Sequence, residues 1–67
     1  MTLARQNLIE RKQQVIAQIA VTRRELERVR TQPDRASQRR AQALDARLTA
    51  LMAEEQQLRL AIDRARA

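Results

Sequence analysis

The four residues TQPD, Thr31 to Asp34, stand near the middle of the chain and contain its sole proline. Thr31 reads as the cap of a following helix, with Asp34 three positions on answering it as a weak capping box. Pro33 suits the first turn of that helix, where its missing N–H is no loss, and it disfavours helical geometry at Gln32 if one unbroken rod were attempted. The expected layout is therefore a single domain over residues 1–67, with helix 1 over about 2–31, a turn over about 31–34 and helix 2 over about 34–65. So short a turn makes the helices antiparallel neighbours. The competing layout is one kinked helix in an extended coiled coil, which would place a residue costing about 3 kcal/mol in a helix interior.

Outward from the turn, each half carries one apolar stripe. In the first half Leu8, Val15, Ile19, Leu26 and Val29 follow an alternating three-and-four spacing, with Arg5, Lys12 and Thr22 at the intervening steps. Ser37, Ala41, Leu44, Leu48, Leu51, Glu55, Leu58, Ile62 and Ala65 keep the same spacing in the second half. This is the pattern of a coiled-coil seam, and folding about residue 33 lets the two stripes meet. That fold sets Val15 near Leu51, Ile19 near Leu48, Leu8 near Leu58 and Lys12 near Glu55. The opposite charges of Lys12 and Glu55 either set the register as a pair or, on the slightly favoured reading, reach out to the flanks of a narrow seam.

Composition supports this all-α class. Gly is absent, Pro occurs once, and Ala, Arg, Gln, Leu and Glu dominate, residues that lose little side-chain freedom on a helix. With no Cys, His, Tyr, Trp or Phe, the chain holds no disulfide, no thiolate or imidazole metal ligand and no ring to stack on a base. No cofactor or metal is expected, and catalysis is not expected either. Nucleophile and base candidates are missing, the sole Ser37 lies on the seam, and a hairpin offers no deep cleft to tune Glu54 or Glu55. The longest uncharged run, Gln13 to Thr22, is too short and too polar to span a membrane. No apolar segment follows Arg5 before Glu10, Arg11 and Lys12, so no signal peptide is expected and a cytoplasmic location is.

A chain of 67 residues buries little surface on its own. Two helices pressed together have a seam and no enclosed interior, yet apolar residues flank this seam. Ile9 and Ile16 lie one position past the first stripe, and Met52 lies beside Leu51. These three predict a self-association face on which two hairpins form a dimeric four-helix bundle, with docking onto a different protein as the competing use. Leu3, Val21 and Leu60 point away from both stripes and read as isolated exposed side chains.

Net charge is +6, with thirteen arginines to one lysine. The charge is concentrated near the turn, where Arg28, Arg30, Arg35, Arg39 and Arg40 form a candidate basic patch for phosphates or an acidic protein surface. Arginine is equally a good helix former with a solvated head, and that plainer reading is preferred.

Two resemblances are architectural. A sixty-odd-residue hairpin pairing into a four-helix bundle resembles the Rop-type RNA-binding dimers, although the aromatic of their RNA face is lacking here. RREL at 23–26, the proline in the turn and QALDARLTAL at 42–51 look similar to the small two-helix co-chaperones of type III secretion needle subunits. Neither resemblance names a family. The expected function is a small non-catalytic interaction module, an adaptor, co-chaperone or inhibitor-type regulator working through exposed helix faces of a dimeric hairpin. The alternative is a Rop-like RNA- or DNA-binding dimer using the arginine-rich turn end.

Overall fold

A computed structural model describes residues 3–65. It consists of α1 (Leu3–Arg30) and α2 (Arg35–Arg64), packed against each other along their length, with no strand among the described residues. The expected start of helix 1 at residue 2 lies outside the described residues. At a rise of 1.5 Å per residue an unbroken rod of these residues would extend about 95 Å. The molecule is only 51 Å long and 14 × 11 Å across, so the chain is a hairpin and the kinked-rod layout is excluded. Its radius of gyration of 15.4 Å exceeds the roughly 11 Å of a compact domain of this length, as expected for two parallel cylinders without a third layer.

The turn corrects the capping expectation. Asp34, not Thr31, is the N-cap of α2: its backbone is extended (φ −73°, ψ 156°) and its side chain accepts the Ser37 amide at 3.1 Å. A cap must directly precede the first helical residue to reach the amide three positions on, and α2 begins at Arg35. Pro33 accordingly lies just outside α2 rather than in its first turn. Thr31 belongs to the end of α1, where its hydroxyl donates to the Arg28 carbonyl at 2.9 Å. The Gln32 amide, bonded to the Val29 carbonyl at 3.1 Å, tightens that end. The Ser37 hydroxyl then donates to Gln32 Oε1 at 2.8 Å and ties the turn to α2.

The buried set lies on the two stripes. Leu26, Val29 and Leu44 form a cluster next to the turn, with Ala41 and Leu48 packed against it, and Val15 and Leu51 are buried farther along. Thr22 and Ser37 are buried polar members of the same seam. At the open end Leu8, Leu58 and Ile62 are only half-buried, so the packing is looser there.

Candidate functional site

The seam has two flanks, and they differ in chemistry. On one, the heptad row Arg11, Gln18, Glu25 of α1 runs opposite the row Arg40, Arg47, Glu54 of α2. Arg11 Nε donates to Glu54 Oε2 at 2.8 Å, and Arg40 pairs with Glu25. Gln18 and Arg47, one heptad inward from each pair, line the same groove. Each step of seven along α1 is thus answered by a step of seven back along α2. All four paired side chains are substantially solvated, so each pair is worth no more than about 1 kcal/mol. Their chief effect is to specify register.

Lys12 and Glu55 are half-buried on the seam and do not pair with each other. Glu55 accepts from Arg59 at 2.8 Å on its own helix, and Lys12 makes no ion pair among the described residues. The pairing that spans the helices lies one residue away on each, between Arg11 and Glu54. The two adjacent carboxylates, Glu54 and Glu55, are therefore each held by an arginine. Among the described residues no group of three or more His, Cys, Asp or Glu could hold a metal ion, and no helix is long and apolar enough to cross a membrane.

On the other flank Ile9, Ile16 and Arg23 are successive heptad positions in one row. An Arg23 Nη2 N–H reaches Met52 Sδ at 3.9 Å, which places Met52 of α2 beside that row. Ile16 is 48% exposed and Met52 46%, whereas Ile9 is half-buried. The three candidate self-association residues thus share one flank of the hairpin, beside Arg23.

The basic residues are all exposed but do not form one plane. Arg28 and Arg30, two residues apart in the last turn of α1, point to different sides, as do the neighbours Arg39 and Arg40 on α2. Arg30 pairs with Glu27 at 3.4 Å and Arg40 with Glu25, while Arg28, Arg35 and Arg39 make no ion pair among the described residues. At the C-terminal end of α1, Arg28 and Arg30 complement the helix dipole; Arg35 sits at the unfavourable positive end of α2, offset there by Asp34.

Val21 is the residue whose reading from sequence was incomplete. At 55% exposure it stands at the edge of a groove of about 440 Å³ on the ion-paired flank, floored by Ala17, Thr22 and Leu44 and bordered by Arg40 and Arg47. A second depression joins Val21 and Glu25 to Arg24 and Arg28. The sequence signal is the ridge Ala17, Val21, Arg24, Arg28, spaced as one helix face outside the stripe. Comparisons with protein-family models, with curated proteins and with solved structures give no match.

Proposed function

We propose that the protein is a small non-catalytic interaction module, a dimeric helical hairpin that binds and modulates another protein in the manner of an adaptor, co-chaperone or inhibitor. One observation carries this reading: the hairpin satisfies one flank with its own ion pairs and leaves Ile16 and Met52 half-exposed on the other. Full burial of such a side chain stabilises by about 1.5–3 kcal/mol, so covering the exposed half recovers roughly 1 kcal/mol per residue, and a two-fold axis counts each residue twice. That gain is large beside a seam whose buried apolar residues, among the described residues, number five. A four-helix bundle with Ile9, Ile16 and Met52 inside is the simplest assembly that supplies it.

Sedimentation equilibrium tests the assembly. The expected mass is about twice the 7.8 kDa of the chain, falling to the single-chain value when Ile16→Glu and Met52→Glu are combined. An unchanged mass in that variant refutes the dimer face.

A second reading, a nucleic-acid-binding dimer of Rop-like layout, draws on Arg28, Arg35 and Arg39 standing without ion pairs near the turn. It requires that a mixed-sequence nucleic acid bind at about 50 mM salt, weaken steeply by about 200 mM, and be lost on changing Arg35, Arg39 and Arg40 to Glu. Absence of binding at the lower salt removes it.

A further inference from the structure

The groove beside Val21 lies away from the Ile16 and Met52 flank, so a bundle formed through that flank leaves it open. Its floor, Ala17, Thr22 and Leu44, is mostly apolar, and an exposed valine forms one wall. Its rim is basic. Arg40 and Arg47 border it, Arg24 and Arg28 line the adjoining depression that shares Val21 and Glu25 with it, and the carboxylate among them, Glu25, is already taken by Arg40. Arg24, Arg28 and Arg47 make no ion pair among the described residues.

We propose that this groove docks an acidic amphipathic helix of a partner protein, an apolar side chain entering beside Val21 and Leu44 while carboxylates on either side meet Arg24, Arg28 and Arg47. The proposal rests on the interaction-module reading and names the chemistry of its partner. Charge complementarity selects this occupant. A second copy would bring the same four arginines against these, a like-charge juxtaposition that disfavours association. A nucleic-acid backbone would meet the rim but would place phosphates over a valine and a leucine, with no aromatic residue in the chain to stack on a base. An acidic helix satisfies both parts of the surface, apolar anchors in the groove and bidentate arginine–carboxylate contacts at the edge.

The test is selection from a library of random displayed peptides about twenty residues long on the full chain, followed by affinity measurement on variants. The expected peptides carry Asp or Glu on both sides of apolar residues at helical spacing, and Val21→Glu weakens them by at least tenfold, about 1.4 kcal/mol, while leaving the sedimentation mass unchanged. Val21 is more than half exposed, so the variant should keep its helicity; should circular dichroism show otherwise, Arg47→Glu, at an exposed position, takes its place with the same expected loss. Peptides that enrich but are neutral or basic, or that ignore both variants, overturn the groove assignment and leave the interaction-module reading standing. Absence of any enrichment over an unrelated helical hairpin overturns both. Acidic peptides displaced by a mixed-sequence nucleic acid whose own binding survives Val21→Glu overturn the proposal in favour of a phosphate-binding surface.

Discussion

One residue before α2, the Asp34 carboxylate accepts the Ser37 amide and sits against the positive end of the helix. The Ser37 side chain first, and its amide second, hold the Asp34 carboxyl below the ordinary carboxylate range. A carboxyl whose folded value is depressed adds stability that is fully present above its unfolded value, near 3.9, and that is lost as pH falls through the folded value. Asp34→Asn keeps an acceptor at the cap and removes the titration. Thermal melts should therefore show the natural chain losing more stability between about pH 5 and pH 2 than Asp34→Asn does. Superimposable pH profiles for the two would mean that the cap contributes nothing through its charge. At neutral pH Asp34→Ala should melt below Asp34→Asn, because alanine cannot accept the Ser37 amide.

Along the elements, stability and register have different sources. Leu26, Val29 and Leu44 supply the apolar burial near the turn, and Leu44→Ala should cost about 2–5 kcal/mol, enough to unfold much of the population of so small a structure. Thr22 is 4% exposed on the seam and lines the groove beside Val21. Thr22→Val should raise stability by up to about 1 kcal/mol in urea melts, since a methyl adds apolar burial on the seam where a hydroxyl adds none. A loss of stability on that change would show the hydroxyl to be bonded in solution. The Arg11–Glu54 and Arg40–Glu25 pairs act on register instead. They hold the α1 row against the α2 row at both ends of the polar flank, where a slip of one heptad would bring Arg11 opposite Arg47.

For the whole molecule the governing fact is shape. Two cylinders side by side bury only a narrow line of seam residues, Val15 completely, and the flanks decide what else the hairpin contacts. If the Ile16 and Met52 flank is closed by a second copy, folding and association are one equilibrium and the melting temperature must rise with concentration. Melts at about 5 and 500 μM should differ by several degrees for the natural chain and coincide for the combined Ile16→Glu and Met52→Glu variant. Coincident melts of the natural chain would show the solitary hairpin to be stable with that flank in water.

The sequence by itself determined that the protein is two helices with a bend at Pro33, and which residues line the seam. Helix-forming composition, a sole proline and a three-and-four apolar spacing are local properties, and local properties dictate secondary structure and its wet and dry faces. The same information misplaced the cap by three residues, because Thr31 and Asp34 are both competent caps and only the position where α2 starts chooses between them. Lys12 and Glu55 do not pair, as the favoured reading had it, but the ion pair between Arg11 and Glu54 on the flank was not singled out from sequence. Tertiary structure decided these points, and it alone brought Val21 beside Leu44, Arg40 and Arg47. A groove exists only once two helices lie at a particular offset, and that offset is a property of packing between them, which neither helix carries in its own periodicity.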